Sequence, residues 1–244
     1  MKKNILILPL FSFATNLVLA QSGAKSKTKT NTTANPAAQK AILKTFQDSV
    51  SYACGMSFAN YYKSQGVKDI NTAYLSKAVN DVLKGKNVLF NDETANRIMN
   101  RYMFQLQAEK VKPAIDSGKK FLAANKTRPG VKTTASGLQY EVIKEGTGEI
   151  PAINDSVTCH YRGSFINGTE FESSYSSGRP ITFSMHGVIR GWTEGLQLMT
   201  VGSIYKFFIP YTLGYGEFDY GAIPGGSTLI FEIELLAVKK NTAQ

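Results

Sequence analysis

Histidine and cysteine are scarce in this sequence, whose 244 residues include two of each. His160 and His186 do not stand at metal-ligand spacing with Cys54 or Cys159, so we expect no metal centre. With so few histidines, a Ser-His-Asp nucleophile arrangement is also disfavoured. The sequence implies no cofactor, and we expect chemistry that needs neither a metal nor a prosthetic group.

Long apolar runs are also lacking, apart from one at the start of the sequence. A short basic start precedes the mostly apolar segment 5–19, and Ala20 ends a pattern that signal peptidase reads. We therefore expect residues 1–20 to be a secretory signal, with cleavage after Ala20 or, alternatively, after Ala24. A membrane anchor is the alternative, but the run is short for a span and no cysteine follows it to carry a lipid. No stable membrane insertion is expected.

The two cysteines either form a disulfide or stay as free thiols, because export brings a chain into a compartment where disulfides can form. Cys54 lies in a helical pattern, whereas Cys159 lies in the strand-like segment 157–161. We favour two buried, small apolar side chains over a disulfide between them.

Basic residues are in excess, with a formal net charge of +10, which raises the question of nucleic-acid binding. The lysines are dispersed, and neither zinc-finger spacing nor an RNA-binding aromatic motif is present. The charge is more typical of a solvated basic surface, so we expect no nucleic-acid partner.

The chain then changes character twice before its midpoint. Residues 21–39 consist of small and polar residues without a large apolar side chain, which predicts a disordered leader. From residue 40 to about residue 125, apolar residues recur at spacings of three and four, which predicts helices. The apolar positions of these helices are Phe46, Val50, Ala53, Cys54 and Phe58; Leu75, Ala78, Val79, Val82 and Leu83; Ala95, Ile98, Met99, Tyr102 and Leu106.

Helix ends are also marked in this region. Gly85 is placed to end the second helix, and Asn91 is placed to cap the third. A third helix that runs to Asn125 is very long, and Pro113 is expected to bend or break it. The periodicity leaves two interpretations open: a compact three-helix domain, or long amphipathic helices that pair with a second copy of the chain.

After Pro129 the pattern becomes strand-like. Segments 137–143, 156–163, 204–209 and 228–238 are rich in β-branched and aromatic residues, and Asn167-Gly168 is a strong hairpin-turn signal. Helical spacing returns only in segment 192–199. We therefore predict an α+β fold, with an all-α N-terminal domain (40–125) and a mainly antiparallel sheet wrapped on one short helix (126–240).

Five motifs of this C-terminal part, in this order, resemble the FKBP family of peptidyl-prolyl cis/trans isomerases. They are Val157-Thr158-Cys159-His160-Tyr161-Arg162-Gly163, Asn167-Gly168-Thr169-Glu170-Phe171-Glu172-Ser173-Ser174, Val188-Ile189-Arg190-Gly191-Trp192-Thr193-Glu194-Gly195-Leu196, Tyr215-Gly216 with Ile223-Pro224-Gly225, and Leu229-Ile230-Phe231-Glu232-Ile233-Glu234-Leu235-Leu236. Two further segments resemble two-domain bacterial FKBPs of the Mip and FkpA type. The stretch 118–125 followed by 136–140 is similar to the junction between their domains, and Ser51-Tyr52-Ala53-Cys54-Gly55 is more weakly similar to the start of their helical domain.

The resemblance implies a function and a set of site residues. The implied activity is isomerisation of X-Pro bonds in exported proteins, without a cofactor. The implied catalytic residues are Tyr161, Phe171, Glu172, Trp192, Tyr215 and Phe231, with Trp192 as the floor and Tyr161, Phe171 and Phe231 as walls. The implied substrate-binding residues are Val188, Ile189, Ile223, Phe183 and Tyr220, of which Phe183 is equally placed to face the core.

Two positions depart from the family pattern. Glu172 stands where Asp is more usual, and the extra methylene either keeps the usual contact with a pocket tyrosine or shifts it. Ile181 stands where an aromatic residue is common, which is expected to open one wall of the pocket, with Tyr220 as a partial replacement.

The resemblance also implies partners and a location. The expected partners are unfolded or nascent exported proteins, a second copy of the chain bound through the N-terminal helices, and macrolide inhibitors in the pocket. The periplasm is the expected location, with the outer membrane or the exterior as alternatives. A holdase chaperone with weak isomerase activity is the alternative function, and a surface adhesin is a third, less supported one.

Overall fold

A computed structural model describes residues 43–241 of the chain. The predicted signal (1–20) and leader (21–39) lie outside the described residues. The described chain divides between residues 58 and 59 into two units, and their described parts are residues 43–58 and 59–241. No helix within the described residues is both long enough and apolar enough to cross a membrane.

Three helices occupy the first part of the described chain, as the periodicity predicts. They are α1 (Phe46–Ser64), α2 (Thr72–Leu83) and α3 (Asp92–Asn125). Asn71 and Asn91 cap α2 and α3, since each side chain accepts hydrogen bonds from backbone N–H groups of the first turn. Gly85 follows the end of α2 with φ near +60°, a conformation that glycine adopts without strain.

The helix α3 is continuous over 34 residues, so the alternative that Pro113 breaks it is wrong. Pro113 removes one backbone hydrogen bond, but its ring lies on the exposed side of the helix. Val111 and Gly118 on either side are buried against the sheet domain. This packing holds both halves of the helix in place.

The remaining chain forms one antiparallel sheet with a short helix on it, which confirms the predicted α+β fold. The strands are β1 (Val131–Thr133), β2 (Gln139–Lys144), β3 (Ser156–Phe165), β4 (Glu170–Ser173), β5 (Ile181–Ser184), β6 (Ile204–Ile209) and β7 (Leu229–Lys239). The sheet order is β1-β2-β6-β7-β3-β4, with β5 also paired to β3. The predicted Asn167-Gly168 turn joins β3 to β4, where Gly168 has φ near +85°.

Alternating burial along the strands directs one face of the sheet toward the helix α4 (Arg190–Leu196). Buried and partly exposed positions alternate along most of β3 and β7. Trp192 and Leu196 of α4 pack into the same core as Phe207, Ile233 and Leu235 of the sheet. Two short 3-10 helices, Tyr175–Ser177 and Tyr211–Leu213, complete this part of the chain.

The C-terminal half of α3 is anchored along the sheet domain. The Asn125 amide donates to the Gln139 side chain (2.9 Å), and the Gln139 amide donates to the Leu122 carbonyl (2.9 Å). The rings of Phe121 and Phe208 lie 6.0 Å apart. The helix is thus fixed to the sheet by buried polar and aromatic contacts.

The prediction for the cysteines is half wrong. Both thiols are free, and Cys159 is fully buried in β3, where burial raises its pKa to about 12. Cys54 is exposed instead of buried. The reason is that no side chain of α1 is buried, so its apolar positions do not form a core face within the described chain.

Candidate active site

A cavity of about 520 Å³ lies where α4 meets the sheet and the loop that precedes β7. Pockets of roughly 300–1,000 Å³ are typical of small-ligand sites. The cavity is lined by side chains or backbone of Tyr161, Glu172, Phe183, His186, Gly187, Val188, Ile189, Trp192, Tyr215, Tyr220 and Phe231. The structure therefore brings together all the site residues predicted from the sequence except Phe171 and Ile223.

The indole of Trp192 forms the centre of an aromatic box. Trp192 is 4% exposed, and three rings stand edge-on to it. These are Tyr161, Phe183 and Phe231, with centroid distances of 5.1, 5.3 and 5.2 Å and interplanar angles of 83°, 78° and 89°. Edge-to-face packing of this kind is a favourable arrangement of aromatic rings. The result is an aromatic, mainly apolar floor to the cavity.

Phe171 supports this box from behind instead of lining it. Its ring packs edge-on against Phe231 at 5.6 Å and lies tilted against Phe165 at 4.9 Å. Gly163 makes the arrangement sterically feasible, because a Cβ there would approach the Phe231 ring within 2.7 Å and the Phe171 ring within 2.8 Å. Phe171 thus forms a second layer behind the cavity wall, because Gly163 on the neighbouring strand leaves space for its ring.

Tyr161 and Glu172 form a polar pair at the edge of the box. The Tyr161 hydroxyl donates to the Glu172 carboxylate over 2.7 Å. Burial raises the pKa of Tyr161, and the hydrogen bond and charge of Glu172 raise it further. The longer Glu side chain therefore keeps the tyrosine contact, which was one of the two outcomes expected from the sequence.

Tyr215 and Tyr220 line the opposite side of the cavity, from the loop that follows the second 3-10 helix. Their rings are stacked at 4.6 Å and 16°. Tyr215 is half-buried, and burial, followed by the nearby charge of Glu172, raises its pKa. Ile223 is buried in the core and pairs through its backbone with Tyr220, so it supports the loop without lining the cavity.

The wall that Ile181 was expected to open is filled by Phe183. Ile181 is 37% exposed and lies opposite Cys159 on the edge of the sheet, away from the cavity lining. Phe183, two residues later on the same face of β5, reaches Trp192 and Tyr161 instead. Tyr220 lines the cavity and stacks on Tyr215, and its role as a partial replacement for the aromatic side chain stays a prediction.

His186 and Gly187 also line the cavity, and neither was among the site residues expected from the sequence. The His186 imidazole lies 3.0 Å from the Asn154 side-chain oxygen through Nε2. Both residues directly precede Val188 and Ile189 of the third motif, and this position beside the motif is the sequence feature that could have identified them. Between residues 43 and 241, no three His, Cys, Asp or Glu side chains are grouped to hold a metal ion.

Two family models match this chain over nearly all of its described length. The model described as FKBP-type peptidyl-prolyl cis-trans isomerase matches residues 148–236. The model described as the domain amino terminal to FKBP-type peptidyl-prolyl isomerase matches residues 47–142. The chain belongs to the FKBP-type peptidyl-prolyl cis-trans isomerase family. It is an enzyme of the two-domain FkpA and Mip group, as its relatives show.

The relatives align over most of the isomerase. The chain is 40% identical to the FKBP-type peptidyl-prolyl cis-trans isomerase FkpA of Aeromonas hydrophila, over 98% of this chain and 97% of that protein. It is 38% identical to the outer membrane protein MIP of Legionella longbeachae, over 85% of this chain and 92% of that protein. The crystal structure of FkpA from Escherichia coli superposes with a TM-score of 0.54 at 32% identity, covering 81% of this chain and 98% of that one.

Proposed function

We propose that the aromatic cavity is the site where this isomerase rotates X-Pro bonds, with the proline ring seated on Trp192. The observation that carries the proposal is the box of three rings edge-on to a buried tryptophan. Its apolar floor suits a pyrrolidine ring, and its polar groups lie at the rim. In this proposal, residues 126–240 form the isomerase domain and residues 40–125 form the dimerisation domain.

An apolar site accelerates this reaction without nucleophile or acid. Amide resonance gives X-Pro rotation a barrier of about 18–20 kcal/mol. The planar imide is more polar than the twisted one, so an apolar cavity destabilises the ground state relative to the transition state. Lowering the barrier by about 7 kcal/mol speeds rotation roughly 10⁵-fold.

Two hydrogen-bond donors at the cavity are proposed to bind carbonyls of the client. They are the backbone N–H of Ile189 and the hydroxyl of Tyr215, and the structure records no acceptor for either within residues 43–241. The raised pKa of Tyr215 keeps its phenol protonated at neutral pH and thus able to donate. Donors aimed at the rotated carbonyl stabilise the twisted state preferentially. The Tyr161–Glu172 pair holds a wall of the site in place.

The test is an isomerase assay on a short X-Pro peptide with the wild-type chain and two variants. Trp192→Leu removes the floor, and we expect a loss of kcat/KM of roughly 10- to 100-fold. Tyr215→Phe removes one donor, and we expect a loss of roughly 3- to 10-fold. Tyr211→Phe, a half-buried tyrosine away from the cavity lining, is the matched control. Wild-type protein that does not accelerate cis-to-trans conversion would exclude the proposal.

Exported proteins are the proposed clients, and the periplasm or the outer membrane is the proposed location. The predicted signal at residues 1–20 and the relative named outer membrane protein MIP support an exported protein. Slow X-Pro isomerisation limits folding of such clients after translocation. Cell fractionation followed by immunoblotting is the direct measurement of location. Macrolides are proposed to bind the same cavity and to compete with the client.

A holdase function is the second candidate, favoured by the exposed apolar side chains of the helical segment. Large patches of this kind mark sites for partners. Tyr74, Leu89 and Phe90 are among the exposed side chains. Under this proposal, Trp192→Leu lowers isomerisation as above but still suppresses aggregation of an unfolded client. Loss of both activities together would contradict a separate holdase surface.

A further inference from the structure

The loop between residues 215 and 223, here named the rim loop, carries Tyr215 and Tyr220 at the cavity. Most of its other side chains are exposed to solvent, including Phe218 and Asp219. The stacking of Tyr220 on Tyr215 holds the two rings to each other. The position of the loop as a whole therefore depends on what supports its outer side.

The outer side of the rim loop lies against the middle of α3. The Lys110 ammonium pairs with the Asp219 carboxylate at 2.7 Å, and the Gln107 amide donates to the Glu217 carbonyl at 2.5 Å. One turn earlier, the rings of Phe104 and Phe218 pack edge-on at 6.4 Å. Three positions on one face of the helix thus hold three successive residues of the loop.

The contacts of Asp219 extend from the helix into the segment that closes the loop. Its second carboxylate oxygen accepts the Gly225 N–H at 2.9 Å. The Gly226 N–H donates to the Gly216 carbonyl at 2.8 Å, which joins the two ends of the loop next to Tyr215. One carboxylate therefore connects Lys110 of the helix with the base of the rim loop.

Glycines allow the base of the loop to lie directly on the helix. A Cβ at Gly226 would come within 2.9 Å of Ile115 and 3.1 Å of the Val111 carbonyl. Gly225 is similarly blocked by the Glu217 backbone and has Val111 within 3.0 Å of a Cβ position. Val111 itself is 2% exposed. The helix surface occupies the space that side chains at positions 225 and 226 would need, so the base of the loop packs directly against the helix.

We propose that Gln107 and Lys110 of α3 are positioning residues for isomerisation, which hold the rim loop so that Tyr215 and Tyr220 stay at the cavity. This inference rests on the proposed function of the cavity. It makes the helix that precedes the sheet domain part of the support of the active site. A single exposed ion pair is weak, so the two contacts are expected to act together.

The experiment compares two double variants of the full chain with the same change in composition. Gln107→Ala with Lys110→Ala removes both contacts to the loop. Gln105→Ala with Lys112→Ala alters the same helix equally, but Gln105 is exposed and Lys112 pairs with Asp116 within the helix. Melting temperatures of both variants establish that the fold is kept. Lys110→Arg, which preserves the charge, serves as the conservative replacement.

Two readouts are measured: kcat/KM on an X-Pro peptide, and acrylamide quenching of Trp192, the single tryptophan of the chain. For the test variant we expect kcat/KM to fall roughly 3- to 10-fold and quenching to rise, because the displaced loop uncovers the cavity. The control variant and Lys110→Arg are expected to stay within about twofold of wild type in both readouts.

The inference requires both changes in the test variant. Equal kcat/KM or equal quenching in the two double variants overturns it, as does a test variant that only lowers the melting temperature. An inactive wild-type chain overturns the proposed function instead, and the quenching comparison then still decides whether α3 holds the rim loop at the cavity.

Discussion

At the scale of single residues, the Tyr161–Glu172 pair determines how one wall of the cavity is held. The phenol is buried while the carboxylate lies at the exposed rim, so the 2.7 Å hydrogen bond connects the box to the surface. Gly163 pairs with Glu172 across the two strands, which places the carboxylate beside the aromatic rings. We expect this contact to require an acceptor oxygen at position 172.

Glu172→Ala is expected to lower kcat/KM roughly 3- to 10-fold, because a hydroxyl buried without its acceptor loses about 1–1.5 kcal/mol of stabilisation and frees the ring to move. Glu172→Gln keeps an acceptor oxygen and is expected to stay within about threefold of wild type. The measurement is the peptide isomerase assay. Glu170→Ala on the same strand, which breaks an exposed pair with Arg162, is the control. Equal activity of the Ala and Gln variants would show that the acceptor has no role.

At the scale of elements, α4 sits unusually close to the sheet, and glycines create the space. A Cβ at Gly191 would come within 2.6 Å of Ile209, and one at Gly195 within 2.6 Å of the Phe207 ring. These two residues lie one turn apart, on the face of α4 that meets β6. Because Trp192 is carried on the same helix, this close approach sets the depth of the cavity floor.

Gly195→Ala is expected to destabilise the sheet domain by about 1–2 kcal/mol, since overpacking against Phe207 exceeds the gain in helix propensity. Urea unfolding followed by Trp192 fluorescence measures the change. Gly187→Ala is the control, because its Cβ would meet the nearest atom at an ordinary 3.5 Å, and its expected effect is below about 0.5 kcal/mol. A Gly195→Ala variant as stable as Gly187→Ala would contradict the close packing of α4 on β6.

At the scale of the whole molecule, the helical segment leaves its predicted apolar face uncovered. On α2, Val79, Val82 and Leu83 are 50%, 66% and 80% exposed, and α3 exposes Ile98 and Met99. Most of the apolar positions whose spacing predicted helices are therefore exposed within the described chain, although Leu75, Tyr102 and Leu106 are partly buried. A second copy of the chain is the partner that the resemblance to two-domain FKBPs implies, and the exposed face supports it.

The chain of residues 21–244 is expected to scatter light with twice the mass of one copy, whereas a chain shortened to begin at residue 129 is expected to be a monomer. Val82→Lys places a charge on the apolar face of α2 and is expected to give a monomer at micromolar concentration, since burying an unpaired charge is strongly unfavourable. Ser76→Lys, exposed on the same helix, is the control. A monomer for residues 21–244 would contradict dimerisation.

Much of the fold was predictable because its signals are local. The helical spacing, the Asn91 cap, the Asn167-Gly168 turn and the alternation along β3 and β7 each involve residues a few positions apart. The identity of the aromatic residues and their order along the chain were also sufficient to imply the family and its activity. The domain boundaries and the roles of individual site residues remain predictions.

Which aromatic residues face the cavity was decided by tertiary packing. Phe171 lies behind Phe231 because Gly163, on another strand, admits both rings, and Phe183 fills the wall that Ile181 leaves. Lys110 and Asp219 are 109 residues apart, and no local pattern relates them. The sequence by itself determined the elements, the aromatic inventory and the family. Only the packing of α3 and α4 on the sheet decided the cavity and its support, because contacts between distant residues exist only once those elements have assembled.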